Sequence, residues 1–139
     1  MYKRQHLDTA KIKQAWQYLE SQGLPAGGDS LTIAVIDSGV DYTHPDLQSN
    51  MWKNQQEIAG NGLDDDNNGY VDDIYGVSVL GESYSHSGDP MDDHGHGTHI
   101  AGIIAASGAN DIGGVGIAYN AKIMAVKACL LYTSPSPRD

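Results

Sequence analysis

Three histidines fall within the six residues HGHGTH (94–99), directly after two aspartates and directly before the apolar run IAGIIAA. Clustered histidines are typical of metal sites, whereas a single histidine at the start of a helix can serve as a general base. A general base of this kind needs a carboxylate that fixes the imidazole tautomer and stabilises its charged form. Asp37 is the candidate, because it follows the apolar run LTIAVI and precedes the turn residues Ser38 and Gly39.

Two strands and a helix would bring these groups together. LTIAVI (31–36) and KIMAVK (122–127) predict strands, and LTIAVI has the nearly continuous apolar pattern of a strand buried on both faces. Between them, GTHIAGIIAA (97–106) predicts a helix. This order predicts a parallel α/β sheet in which strand ends and helix starts share one rim. Asp37 and His96 are therefore expected to be neighbours.

Two further elements are expected around this unit. DTAKIKQAWQYLESQG (8–23) predicts a helix, with Asp8 as its N-cap and Gly23 as its stop. DIYGVSV (73–79) is a possible strand within a long polar stretch. Because a doubly wound sheet needs more strands than these, we expect the chain to fold poorly alone, with KIMAVK as an exposed apolar edge.

Composition narrows the classes of partner. The net charge of −10 argues against nucleic acid, and no run of 18 apolar residues is present, so no transmembrane helix is expected. The single cysteine, Cys129, cannot form an internal disulfide. We expect a monomer that binds neither nucleic acid nor a membrane.

The acidic segment GNGLDDDNNGYVDD (60–73) has the pattern of a calcium-binding loop. Its residues D-x-D-x-N-G match the first half of an EF-hand loop, in which alternating oxygen ligands and a glycine curl the chain around one ion. Tyr75 stands where an EF-hand has its final glutamate, so a calcium loop is expected and not an EF-hand. The alternative is a solvated acidic loop. The expected calcium ligands are Asp64, Asp66, Asn68, the Tyr70 carbonyl, Asp72 and Asp73.

Both ends of the chain look foreign to it. MYKRQ (1–5) and CLLYTSPSPRD (129–139) resemble translated transposon-end adapter sequence from DNA sequencing. Residues 6–128 are therefore expected to be an internal fragment of a longer protein. A basic start and a flexible Ser/Pro linker are the alternatives.

Two long motifs resemble those of a known family. AVIDSGVDYTHPDL and DDHGHGTHIAGIIAA are similar to the aspartate and histidine blocks of the subtilisin-like serine proteases (subtilases), in the family's order, and GVGIAYNAKIMAVK resembles the strand that follows. The resemblance implies the N-terminal part of a three-layer α/β/α domain with a doubly wound parallel sheet. It also implies a secreted endopeptidase that acts on proteins or peptides, with Asp37 as the triad aspartate and His96 as the general base.

The chain departs from the family pattern in one respect. The nucleophile block Gly-Thr-Ser-x-Ala and the oxyanion asparagine block are missing, which a truncated domain explains. This chain by itself is then expected to be inactive, because the nucleophile is indispensable. The resemblance further implies that calcium stabilises the fold, with a second calcium site at Asp46, Asn110 and Ile112.

Two other functions stay open on the sequence. One is a non-catalytic calcium-binding module that keeps the subtilase fold. The other is a zinc hydrolase that uses His94, His96 and His99, although that reading leaves Asp37 unexplained. Otherwise His99 is expected to be a partly buried, hydrogen-bonded helix residue, His94 a loop residue and His44 the anchor of a turn.

Overall fold

A computed structural model describes residues 10–28, 30–80, 86–108, 110 and 113–128. The two adapter-like segments, Asp8 and Ile112 lie outside these residues. The described part contains, in chain order, helix α1 (Ile12–Ser21), strand β1 (Thr32–Asp37), a 3₁₀ turn (Gln48–Asn50), strands β2 (Tyr70–Val71), β3 (Gly76–Ser78) and β4 (His86–Ser87), helix α2 (His96–Ala105) and strand β5 (Lys122–Lys127). None of the described helices has the length and apolar content that a membrane span requires.

The main sheet is parallel, as the sequence predicts, and KIMAVK forms its middle strand. The order is β1-β5-β3, and β2 and β4 form a separate parallel pair. The prediction that KIMAVK forms an exposed edge is wrong. β3, which comes from the DIYGVSV segment, covers the side of β5 that β1 leaves free, with Gly76 opposite Ala125.

Helix α2 covers one face of this sheet. The core there is built from Val35 on β1, Ile123 and Ala125 on β5, and Ala101 and Ala105 on α2, all buried. Alanines on the buried side of α2 let the helix lie close to the strands, because they add little volume between the two backbones.

The opposite face of the sheet is open, which contradicts the expectation of a strand buried on both faces. In β1, Ala34 is exposed and Ile36 is 69% exposed. Val77, Met124 and Val126 share this face through the strand register and are half-buried. No described helix packs against it. The apolar pattern of LTIAVI therefore corresponds to one covered face and one uncovered face.

Helix α1 begins later than predicted and ends where predicted. It starts at Ile12, after Lys11 with φ of 55°, and Gly23 follows its end with φ of 70°. The amide of Leu24 donates to the Leu19 carbonyl, which closes the last turn. Trp16 stacks edge-on against Tyr119 and donates from Nε1 to the Ile117 carbonyl, so α1 docks beside the segment that leads into β5.

Candidate active site

Asp37 and His96 are hydrogen-bonded neighbours at the carboxyl end of the sheet. His96 Nδ1 lies 2.7 Å from Asp37 Oδ1. The aspartate side chain is 17% exposed and the imidazole 52% exposed. No other group in the described part of the chain bonds to this imidazole. The second ring nitrogen, Nε2, is therefore available to an incoming group while Nδ1 is held by the carboxylate.

The end of β1 fixes the carboxylate. The amide of Ser38, the next residue, donates to Asp37 Oδ1 at 2.7 Å. Burial alone would raise the pKa of Asp37. The hydrogen bonds from His96 and Ser38 and the charge of His96 outweigh it, so the pKa of Asp37 lies below its ordinary value. An ionised Asp37 is the form that stabilises a protonated imidazole.

The start of α2 fixes the imidazole. His96 is the first residue of the helix, and Gly95 precedes it with φ of 84° and no side-chain cap. The free amides of the first turn find their partners elsewhere in the chain: Gly97 donates to Ser38 Oγ at 3.1 Å and Thr98 to Asp92 Oδ2 at 2.9 Å. These bonds satisfy helix-end donors that have no partner inside the helix.

Close backbone contact joins the helix to the turn after β1. A side-chain carbon at Gly97 would overlap the carbonyl oxygen of Gly39 and come within 3.1 Å of the Asp37 Cβ. Gly39 has φ of 105° and lies against the carbonyl of Pro90, which accepts from the Val40 amide at 3.0 Å. Glycine is required at both positions because the two backbones touch.

Lys127 ties β5 to the loop before α2. Its ammonium group donates to the Met91 carbonyl at 2.8 Å and to Asp93 Oδ2 at 2.9 Å. The hydrogen bond from Lys127 lowers the pKa of Asp93. Although Lys127 is in register with Asp37, its charge is directed to the loop and not to that carboxylate.

The other histidines do not join the pair. In the described residues, His94, His96 and His99 belong to no group of three ligands whose atoms converge on one point, so the zinc arrangement is not formed. His94 is an exposed loop residue, and its Nε2 lies 3.7 Å from Oδ1 of Asp93. His44 anchors its turn as expected, because its Nδ1 accepts from the Asp46 amide at 3.1 Å. The expectation of a partly buried His99 is wrong, because this residue is exposed.

The acidic loop brings three carboxylates together. Ligand atoms of Glu57, Asp66 and Asp73 lie within 4.8 Å of one another. Glu57 and Asp73 are buried, at 9% and 4% exposure. The side-chain amide of Asn54 donates to Asp66 at 2.9 Å and to Asp73 at 2.8 Å. Among the described residues, none of the three forms an ion pair with a cationic side chain. Oxygen donors packed in this way suit a hard cation such as Ca²⁺.

The remaining predicted ligands have other contacts in this structure. Asp64 accepts from the amides of Asn68 and Gly69, and Asp72 accepts from those of Gly60, Asn61 and Gly62. The Asn68 side-chain amide donates to Asp66 and Asp73, which places Asn68 beside the three carboxylates. Tyr70 lies in β2.

The second predicted calcium site is partly described. Asp46 is 6% exposed and accepts at 2.8 Å from the side-chain amide of Asn110, so these two residues are neighbours. The third predicted ligand, Ile112, lies outside the described residues. Both calcium sites stay predictions.

Sequence reasoning missed Asp92 and Glu57. Asp92 accepts bonds around His96, and an acidic residue just before a helix was the available signal. Glu57 accepts from the amides of Asp65, Asp66 and Asp72, and its segment NQQEIAG carries no motif that would have revealed it.

The chain is similar to known proteases in sequence. A sequence model of the subtilase family (Peptidase S8) matches residues 28–136. Subtilisin-like protease 1 of Plasmodium berghei (strain Anka) is 45% identical over 123 residues, covering 88% of this chain and 19% of that protein. Subtilisin-like protease 1 of Plasmodium falciparum (isolate 3D7) is 54% identical over 100 residues, covering 71% and 14%. Thermophilic serine proteinase of Bacillus sp. (strain AK1) is 42% identical over 102 residues, covering 73% and 19%.

The fold is also similar to a solved protease structure. A protease from Pseudoalteromonas arctica PAMC 21717 aligns with a TM-score of 0.52 at 24% identity, over 73% of this chain and 30% of that one. At this identity the likeness concerns the fold alone. The chain spans 14 to 19% of the length of the curated relatives named above.

Proposed function

The chain belongs to the subtilase family, and from that premise we propose that it forms the N-terminal part of the catalytic domain of a serine endopeptidase acting on protein or peptide substrates. The observation that carries the proposal is the 2.7 Å contact between His96 Nδ1 and Asp37 Oδ1. An imidazole held in this way presents Nε2 as a general base, and the carboxylate stabilises the imidazolium that forms.

Each residue of the pair has one step in the proposed reaction. His96 Nε2 takes the proton from a serine hydroxyl as that oxygen attacks the substrate carbonyl, and later returns the proton to the leaving amine. Asp37 stays ionised throughout, as its lowered pKa favours. The serine itself would come from a further part of the protein, since no serine here stands in a Gly-Thr-Ser-x-Ala context.

The test uses the longer protein, recovered as an uninterrupted reading frame and expressed with its continuation. We expect a Gly-Thr-Ser-x-Ala block there and covalent labelling by a fluorophosphonate. Asp37→Asn should lower kcat about 10⁴-fold and His96→Ala about 10⁶-fold. His99→Ala, which changes an exposed histidine on the same helix, is the control and should leave kcat unchanged. A continuation without the serine block, together with calcium-dependent stability, would favour the non-catalytic module instead.

We further propose that the acidic loop binds a structural calcium ion. The support is the close approach of Glu57, Asp66 and Asp73, which have no cationic partner among the described residues. Three carboxylates so close together repel one another unless a cation lies between them. Asp64, Asn68, Tyr70 and Asp72 would complete or support the loop, and Asp46 with Asn110 and Ile112 would form a second, separate site.

Calcium should stabilise the folded protein. Binding to the folded state alone adds roughly 2.7 kcal/mol when free calcium is 100 times Kd. Thermal unfolding with calcium and with a chelator measures this effect. Glu57→Gln should remove most of the calcium-dependent shift in Tm, whereas Asp65→Asn, which changes a carboxylate of the same loop outside the cluster, should keep it. An equal shift in both variants would argue against the site.

The proposal includes export from the cell and a monomeric state. Extracellular calcium-binding modules have Kd values of roughly 10⁻⁴ to 10⁻³ M. A structural site of that affinity needs the calcium concentration found outside cells in order to stay occupied. Fractionation of the source organism and sedimentation of the longer protein test these two points. Recovery of the protein in the cytoplasmic fraction would contradict export.

A further inference from the structure

We propose that Asp92 is a positioning residue for the general base, holding both His96 and the turn after Asp37 in the geometry that their hydrogen bond needs. The inference rests on the proposed peptidase function and adds to it a residue that makes no direct contact with the imidazole. Asp92 is partly buried in the loop that leads into α2.

Asp92 binds the chain on both sides of His96. Its Oδ1 accepts from the amides of His94 and Gly95, each at 2.9 Å. Its Oδ2 accepts from the amide of Thr98 at 2.9 Å and from the Thr98 hydroxyl. One carboxylate therefore fixes the backbone just before and just after the base, and the orientation of the His96 Cα–Cβ bond follows from that backbone.

Asp92 also binds the turn that carries the catalytic carboxylate. Ser38 Oγ donates to Asp92 Oδ1 at 2.9 Å and accepts from the Gly97 amide at 3.1 Å. Ser38 is completely buried, and its own amide donates to Asp37. These contacts close a ring of bonds from Asp37 through Ser38 and Asp92 to the loop around His96.

The ring requires an ionised carboxylate at position 92. Among the described residues, every group that hydrogen-bonds to Asp92 is a donor. An ionised carboxylate only accepts, whereas an asparagine would turn two N–H donors towards other donors. Burial by itself raises the pKa of Asp92, but the bonds from Thr98, His94 and Gly95 lower it far below the ordinary value. A negative charge beside the first turn of α2 is also favourable to the helix.

Asp92→Asn in the longer protein tests the proposal, with Asp93→Asn as the matched control. Asp93 is the adjacent carboxylate, 53% exposed, and bonds to Lys127. We expect Asp92→Asn to lower kcat about 10- to 100-fold with KM within about twofold, because small misplacements of a catalytic group cost rates of this order. Asp93→Asn should stay within about twofold of wild type on both constants.

A second readout separates positioning from general stability. The far-downfield proton resonance of the His96 Nδ1–H reports the bond to Asp37 directly. It should shift or broaden in folded Asp92→Asn and stay in place in Asp93→Asn. A folded Asp92→Asn variant that keeps both this resonance and kcat would overturn the proposal.

Thr98→Val replaces the first variant if Asp92→Asn does not fold. It removes one donor to Asp92 with little change of shape, and an unperturbed His96 resonance in that variant would equally overturn the proposal. If the wild-type protein has no peptidase activity, the proposed function fails. The resonance comparison still decides whether Asp92 positions His96.

Discussion

At the site, burial raises the pKa values of Asp37 and Asp92, whereas hydrogen bonds lower them. The lowering effect prevails for Asp37 and for Asp92. Their donors are backbone amides, hydroxyls and the His96 ring, so the folded state holds both groups in the ionised form. The unfolded chain loses these donors, and its aspartates return to a pKa near 3.9.

This difference predicts acid sensitivity. Below a pH of about 3.9 the unfolded state binds protons that folded Asp37 and Asp92 still exclude, so stability falls as pH decreases towards the lowered folded pKa values. Above that pH the stabilising contribution is fully present. Urea unfolding of the protein between about pH 3 and pH 7 should show this loss, and Asp92→Asn should flatten the curve. An identical pH dependence in the two proteins would contradict the account.

At the residue scale, the sequence predicts where helices and strands begin and end better than it predicts which side chains form hydrogen bonds with each other. The pairing of Asp37 with His96 was predictable from their positions in the chain. One residue ends a strand and the other starts a helix at the same rim of the sheet, so the two must lie close together. The partners of Asp92 and Glu57 depend on how irregular segments run through space. Asp92 meets Ser38 across 54 residues and Glu57 meets Asp72 across 15, and no local pattern encodes those distances.

At the element scale, α2 needs glycine at its second residue, Gly97, but does not need it at Gly102. Gly97→Ala would drive a methyl group into the Gly39 carbonyl, whereas a methyl group at Gly102 meets nothing within 4 Å. We expect Gly97→Ala to lower the free energy of unfolding by about 1–3 kcal/mol. Gly102→Ala should raise it by about 0.5–1 kcal/mol, because alanine is the better helix former.

Urea unfolding midpoints of the two variants measure this contrast on a single helix. Because Gly97 lies beside the Asp37–His96 contact, its variant should also lose peptidase activity in the longer protein, while Gly102→Ala keeps it. Equal stabilities for Gly97→Ala and wild type would show that the helix shifts freely away from β1.

Element positions were predictable to within a residue for the three that build the site. KIMAVK matches β5 at both ends, while β1 and α2 are each displaced by one residue from LTIAVI and GTHIAGIIAA. The neighbours of each strand were not predictable. The apolar pattern of β5 predicts that the strand is buried but does not predict which strands pair with it. Its pairing with β3 depends on how the long polar segment before α2 folds.

At the scale of the whole molecule, the described residues leave one side of the sheet uncovered. Ile36 is 69% exposed on that face, beside Ala34 and the half-buried Met124 and Val126. Contiguous apolar surface of this kind promotes association in water. We expect the 139-residue chain, when it is produced alone, to associate with increasing concentration and to bind a hydrophobic dye.

Ile36→Thr should reduce both effects, since threonine keeps the β-branched shape while adding a hydroxyl. Ile58→Thr is the matched control, because Ile58 is 63% exposed but belongs to no strand of the sheet. Sedimentation velocity and dye fluorescence provide the measurements. A monodisperse chain with sharp, dispersed amide resonances would contradict the expected association.

The order β1-β5-β3 has a consequence for biosynthesis. β1 and β3 bond only to β5 within the main sheet, and β5 is made last of the three. On a translating ribosome, the segments that form β1 and β3 therefore lack a strand partner in the main sheet until residue 127 has left the exit tunnel. We expect the contact between Asp37 and His96 to be held firmly only after that point, because β5 is the first strand that pairs with β1.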